Sequence, residues 1–253
     1  MSIDLLSLKG KNALVTGCGA GLGQAMAVGL AAAGANIVGI DIADTQHTRQ
    51  MVEAQGAGFC PVQANMLDFE HYDQMVEECR QAFGSLDILL NNAGIIRRDD
   101  VLAFSQKDWD DVLNLNLKAV FFFSQAVAKV YKKQGRGGKI INIASMLSFQ
   151  GGIRIPSYTA SKSGVMGLTK LLGNELAVYD VQVNAIAPGY FATAATEAIR
   201  DDEARNREIL GRIPAGRWGR PEDLQGAAVF LASRASDYVT GYTIAVDGGW
   251  LAR

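Results

Sequence analysis

Ser145, Tyr158 and Lys162 are spaced so that three side chains could act on one oxygen atom. Tyr158 and Lys162 stand four residues apart, which on a helix is one face. A free tyrosine titrates near ~10 and is a poor base at neutral pH. A neighbouring ammonium favours the phenolate and lowers that value, so Tyr158 could give a proton to an alkoxide or take one from an alcohol. Ser145 ends a short β-branched run thirteen residues earlier, where its hydroxyl could hydrogen-bond the reacting oxygen. Tyr-x-x-x-Lys is a common accident in protein chains, so its weight depends on its context.

That context is the run Thr16-Gly-Cys-Gly-Ala-Gly-Leu-Gly23. Gly17, Gly21 and Gly23, with Leu22 between the last two, follow one predicted strand and open one predicted helix. Without side chains the turn can tighten and the backbone can approach a pyrophosphate, which the helix N-terminus then meets with free N–H groups. Asp41 closes the next predicted strand, eighteen residues beyond Gly23, and Ile42 follows it. A carboxylate there accepts from an adenosine ribose diol and repels a 2′-phosphate. The glycine loop has no Lys or Arg, so NAD is the expected cofactor. Together the two groups describe hydride transfer between a nicotinamide and a carbonyl or secondary alcohol.

The elements that must position these residues alternate along the chain. Short apolar runs at 13–16, 36–41, 58–64, 88–91, 139–144, 181–187 and 243–246 read as strands. Helical patterns occupy 21–33, 47–55, 70–83, 106–133, 158–178 and 221–231. Such alternation predicts an α/β fold, a Rossmann-type doubly wound parallel sheet of about seven strands with helices on both faces. No linker, repeat or low-complexity tract divides the chain, so residues 1–253 read as one domain. The stretch 190–220 interrupts the alternation with Arg200-Asp-Asp-Glu-Ala-Arg-Asn-Arg207, and is placed where a substrate lid would sit.

Composition removes other classes. Hydrophobic residues make up 49% and charged residues 20%, which suits a globular protein with a large core. A net charge of −2 gives no reason to expect nucleic acid or an anionic membrane as partner. No apolar run could span a bilayer, and the start has no basic n-region, so a cytoplasmic location is expected. Cys18, Cys60 and Cys79 form no close pair, which fits a reducing compartment. His47 and His71 are the only histidines and read as surface residues, so neither a metal site nor a histidine base is expected.

In these residues the chain resembles the short-chain dehydrogenase/reductase family over essentially its whole length. The matching pieces are the Thr16–Gly23 loop, Asn91-Asn92-Ala93-Gly94, Asn116 in Asn-Leu-Asn-Leu-Lys, Ser145, Tyr158-Thr-Ala-Ser-Lys162, Pro188-Gly189 with Thr193, and Asp247-Gly248-Gly249. The resemblance implies Asn116 as a fourth catalytic member, holding a water that links Lys162 to solvent. It implies that Lys162 also binds the nicotinamide ribose, with Tyr158 beside it. It further implies that Asn92, Ala93 and Gly94 line the cofactor groove, and that Pro188, Gly189, Phe191 and Thr193 hold the carboxamide. Asn65 stands where the family usually has an adenine-contacting Asp, with Met66 next to it; its amide oxygen could still accept from the adenine amino group. A homotetramer is also implied.

The stretches 145–158 and 212–224 resemble the sugar-acid branch of that family. This implies a keto/hydroxyl interconversion on a sugar acid, most specifically a 3-deoxy-2-keto hexonate in uronate breakdown. The alternatives are a gluconate 5-dehydrogenase, a 3-oxoacyl-acyl-carrier-protein reductase, or a non-catalytic NAD-binding regulator. A sugar acid needs a cation for its carboxylate and donors for its hydroxyls. Arg97, Arg98, Gln150 and Arg154 are the candidates beside Ser145 and Tyr158.

Overall fold

Strand β1 (Asn12–Thr16) shows how the core is divided. Ala13 and Val15 point into one apolar cluster and Leu14 into another, the period-two alternation of a strand buried on both faces. The structure is a computed structural model and describes residues 3–253. From β1 the chain runs through α1 (Gly21–Ala32), β2 (Asn36–Asp41), α2 (Gln46–Glu53), β3 (Phe59–Gln63), α3 (Tyr72–Phe83) and β4 (Ile88–Asn91). It continues through α4 (Gln106–Leu113), α5 (Val120–Gln134), β5 (Gly138–Ile143), α6 (Pro156–Leu176) and β6 (Val181–Pro188). The last elements are α7 (Glu197–Asp201), α8 (Glu203–Arg212), α9 (Gln225–Ala232) and β7 (Thr243–Val246).

All seven strands are parallel, in the order β3-β2-β1-β4-β5-β6-β7. The expected doubly wound sheet is therefore present. One core lies under α1 and α9, with Met26, Leu30, Ile37 and Leu231. The other lies under α3 and α5, with Val76, Leu89, Phe123 and Val127. Chain direction across the sheet reverses between β1 and β4, which opens a crevice at their carboxyl ends.

Strand and helix limits fall within two residues of the sequence reading except at the start of α9, which Pro221–Leu224 precedes as a 3-10 turn; three further features differ. The pattern at 106–133 is one helix by composition, but Asn114–Ala119 forms a π turn between α4 and α5. α6 starts two residues before Tyr158 because Pro156 sets the helical φ at its first position. The interruption at 190–220 contains α7 and α8 and is braced within itself by Trp218 Nε1, which donates to Asn206 Oδ1 at 2.8 Å.

A buried polar chain ties the sheet to its helices. Asn91 Nδ2 donates to Ser124 Oγ and to Asn142 Oδ1, both at 2.9 Å, and Asn142 Nδ2 donates to Thr169 Oγ1 at 3.0 Å. With all four residues buried, each partner left unpaired would lose its water as well. The chain therefore sets the distance from β4 and β5 to α5 and α6, and so the height of α6 above the sheet.

Candidate active site

The crevice between β1 and β4 is built around glycines. Gly17 and Gly21 have φ of +66° and +59°, which suits residues without a Cβ. A Cβ on Gly17 would sit 2.8 Å from Ala93 Cα, and one on Gly23 would sit 2.1 Å from the Gly17 carbonyl oxygen. The β4 turn clamps this loop. Asn92 Nδ2 donates to the carbonyls of Thr16 (3.1 Å) and Gly17 (2.8 Å), while Thr16 Oγ1 accepts from the N–H groups of Asn92 and Ala93, both at 3.1 Å. α1 has no side-chain cap and no acidic residue in its first turn, so its leading N–H groups remain available to an anion. Thr193 Cγ2 faces this end, 3.9 Å from where a Gly21 Cβ would be. The strip leading to it is fixed by Gly189 N–H on the Val246 carbonyl (3.0 Å) and by Phe191 bridging to Gly219. The residues fit a dinucleotide: an uncapped helix terminus, a side-chain-free cradle, and a facing strip.

Two side chains expected at the adenosine end are already engaged. Asp41 Oδ2 accepts from Gly19 N–H at 2.8 Å, and Oδ1 accepts from Ala43 N–H at 2.9 Å. Asn65 Oδ1, expected to be free for an adenine amino group, accepts from Leu67 N–H at 3.0 Å. Ile42 is exposed beside Asp41, and Met66 is buried behind Asn65.

The proton-transfer candidates converge at the carboxyl end of β5. Ser145 lies two residues past that strand and caps a short turn, its Oγ accepting from Leu147 N–H at 3.2 Å. Lys162 is buried, and its Nζ donates to the Ile143 carbonyl at 2.6 Å. Burial lowers its pKa to about 8. Its Nζ lies 5.7 Å from the centre of the Tyr158 ring. Burial raises the Tyr158 phenol above its ordinary value, opposed by a hydrogen bond with Ser145 and by the Arg98 charge. The sequence expectation was that Lys162 would lower it. In the folded chain burial dominates, and the opposing cation is Arg98.

Asn116 is fully buried in the π turn. Its Oδ1 accepts from Ile95 N–H and its Nδ2 donates to the Ile95 carbonyl, both at 2.8 Å. The same Nδ2 reaches Ser161 Oγ at 3.4 Å, and Ser161 donates to the Tyr158 carbonyl at 2.8 Å. Asn116 thus joins the 95–99 loop to the helix that carries Tyr158. Gly94 packs against it, where a Cβ would sit 3.1 Å from Asn116 Oδ1.

The four substrate candidates separate. Arg97 is spent on Asp108 at 3.4 Å. Gln150 Oε1 accepts from Arg212 at 3.0 Å. Arg154 is exposed, in the left-handed region at φ 63°, and its carbonyl accepts from Asp99 N–H at 3.0 Å. Arg98 is also exposed and, like the Arg154 guanidinium, has no side-chain hydrogen bond or ion pair among the described residues, but its charge acts on Tyr158. Sequence reasoning missed the wall around them: Tyr190 packs edge-on against Trp218 and Trp250, and the Arg212 guanidinium lies 4.0 Å from the Trp250 ring centre. These aromatics share one apolar cluster with Tyr158, Met146 and Leu147. Only the pairing of residues 150, 212 and 250 in space shows it.

A family model described as enoyl-(acyl carrier protein) reductase matches residues 17–251. With the fold and the motif set above, the chain belongs to the short-chain dehydrogenase/reductase family and is an NAD(P)-dependent oxidoreductase acting on CH–OH groups. It is 63% identical over 253 residues to the 2-dehydro-3-deoxy-D-gluconate 5-dehydrogenase of Dickeya dadantii, covering 100% of both chains. A candidate 2-deoxy-D-gluconate 3-dehydrogenase from Agrobacterium tumefaciens, crystallised with NADP bound, superposes with a TM-score of 0.94 at 55% identity, covering 99% of this chain and 100% of that one. A gluconate 5-dehydrogenase from Burkholderia cenocepacia, in complex with NADP and tartrate, superposes at 0.93 with 40% identity, covering 99% and 98%.

Those NADP complexes correct the expectation of NAD as sole cofactor; the cofactor is NAD(P). The engaged state of Asp41 supplies a physical reason. Each of its oxygens already accepts a backbone N–H, so the carboxylate is turned into its own loop rather than held out for a ribose diol.

The raised Tyr158 pKa sets the sign of the pH dependence. Ketone reduction needs the phenol and should hold level through neutrality, whereas alcohol oxidation needs the phenolate and should rise with pH. Rate profiles measured in both directions check this; oxidation that falls between about pH 7 and 9 contradicts it.

Proposed function

We propose that this chain interconverts a keto group and a secondary hydroxyl on a sugar acid, most specifically the C5 pair of a 3-deoxy-2-keto hexonate, in uronate breakdown. The arrangement that supports the reading is the unpaired guanidinium of Arg98, exposed and near enough for its charge to act on Tyr158, which offers a carboxylate-bearing substrate a cation. The name of the Dickeya relative supports the same substrate class. A nicotinamide held in the cleft would supply or accept the hydride. Tyr158 transfers the proton at the substrate oxygen, and Ser145 donates a hydrogen bond to that oxygen. Lys162 holds positive charge beneath the pair, and Asn116 fixes the loop that presents Arg98. Gly17, Gly21, Leu22, Gly23, Asp41 and Asn92–Gly94 form one wall of the dinucleotide cleft, and Pro188–Thr193 the other.

Arg98 is held from both sides: Ile95 is tied to Asn116, and Asp99 to the Arg154 carbonyl. The segment 190–220 acts as the lid, latched by Arg212 on Gln150. Three unbridged cysteines fit a reducing cytoplasm. A homotetramer is the proposed assembly, supported by exposed Phe122, Leu171 and Tyr242 on α5, on α6 and beside β7. Light scattering that finds a monomer at micromolar concentration rejects it.

Keto-sugar acids assayed with NADH and NADPH test the activity. A charge-assisted pair is worth about 1.5–3 kcal/mol, so Arg98→Ala should lower kcat/KM for the acid by about ten- to a hundredfold. It should leave a neutral analogue without the carboxylate nearly unaffected, and cofactor affinity unchanged. Equal losses on acid and analogue would remove the sugar-acid reading's physical support.

A further inference from the structure

We propose that Ser148 is a positioning residue for proton transfer: its hydroxyl sets Ser145 and Lys162 at a fixed distance by bonding the backbone of both. The inference rests on the proton-transfer roles given above to Ser145, Tyr158 and Lys162.

Ser148 Oγ accepts from Ser145 N–H at 3.3 Å and donates to the Lys162 carbonyl at 2.6 Å. A hydroxyl has one proton, and here it is spent on α6 rather than within the turn that Ser148 closes. Capping that turn would require only the first of the two bonds. The second leaves the turn and crosses to a helix fourteen residues away. Lys162 lies inside α6, where the helix already supplies a donor to its carbonyl from four residues on, so α6 does not need Ser148 for its own hydrogen bonding. The bond is therefore a tether between elements.

Its placement bears directly on the chemistry. Lys162 is bound at both ends to the β5 side, its Nζ by the Ile143 carbonyl at 2.6 Å and its own carbonyl by Ser148. Tyr158 stands one turn earlier on the same helix. Ser145, which counters the effect of burial on Tyr158, hangs on the other end of the tether. A second, longer contact, Ser163 Oγ to the Leu147 carbonyl at 3.4 Å, runs alongside. Ser148 is buried, so water does not replace its hydroxyl at low cost. Without it, Ser145 N–H loses its partner and the turn is free to slide against α6, which moves the Ser145 hydroxyl relative to Tyr158.

Ser148→Ala and Ser148→Thr distinguish positioning from mere folding. In Ser148→Ala, kcat should fall by about ten- to a hundredfold, the loss expected from sub-ångström misplacement of reacting groups. NAD(P)H affinity, read by fluorescence titration, should stay within about twofold, and Ser148→Thr should recover most of the rate. The Tyr158 titration, followed by NMR in protein labelled at tyrosine Cζ with NAD(P) bound, should move up by about half a unit or more in Ser148→Ala as the Ser145 hydrogen bond weakens. That readout needs no substrate. Failure of the wild type to turn over any keto-sugar acid would count against the substrate assignment alone. An unchanged Tyr158 titration in Ser148→Ala overturns the positioning role, as do equal losses in both variants accompanied by lost cofactor binding.

Discussion

A buried ammonium is the constraint on which this structure depends. Lys162 sits almost without solvent, and its Nζ is held by the Ile143 carbonyl. Burial disfavours the ammonium, and that cost shows as a Lys162 pKa lowered to about 8, with the Ile143 carbonyl as the hydrogen-bond partner that offsets part of it. The rest of the proton-transfer group is arranged around that residue. α6 must lie close enough to β5 for the bond to form, and its height is set by the polar chain from Asn91 through Asn142 to Thr169. Tyr158 follows because it is one turn away.

The dinucleotide cleft depends on a separate set of contacts at the other side of the reversal in strand order. Asn92 closes over the Thr16 and Gly17 carbonyls, so the glycine loop is held open by β4 rather than by its own short turn. The two halves of the site are joined through the Asn92–Asp99 stretch, which touches the glycine loop at one end and Asn116 and Arg154 at the other. Ordering that stretch sets both the cofactor cradle and the cation at the substrate end.

Much of this was legible in the sequence. The seven strands follow from β-branched runs, and both the glycine loop and the Tyr158–Lys162 face follow from spacing alone. The parts that were not legible require tertiary contact. Nothing in Asn-Leu-Asn-Leu-Lys-Ala distinguishes a π turn from a continuous helix. The rise in the Tyr158 pKa comes from burial, which spacing does not report. Asp41 read as a bare carboxylate, but the folded loop brings two backbone N–H groups onto it; the expected exclusion of NADP gave way to the NADP complexes of its relatives. Arg98 could be told from Arg97 only once Asp108 had taken the latter, and from the equally exposed Arg154 only by its charge reaching Tyr158.

The measurement that most directly tests the account is isotope transfer. With NAD(P)H carrying deuterium at the nicotinamide C4, the wild-type chain should place that deuterium on the new carbinol carbon of a reduced keto-sugar acid, seen by NMR of the product. Tyr158→Phe should bind the cofactor and transfer almost none. Product formed without the label, or undiminished transfer by Tyr158→Phe, would contradict the assignment of hydride transfer to this group of residues.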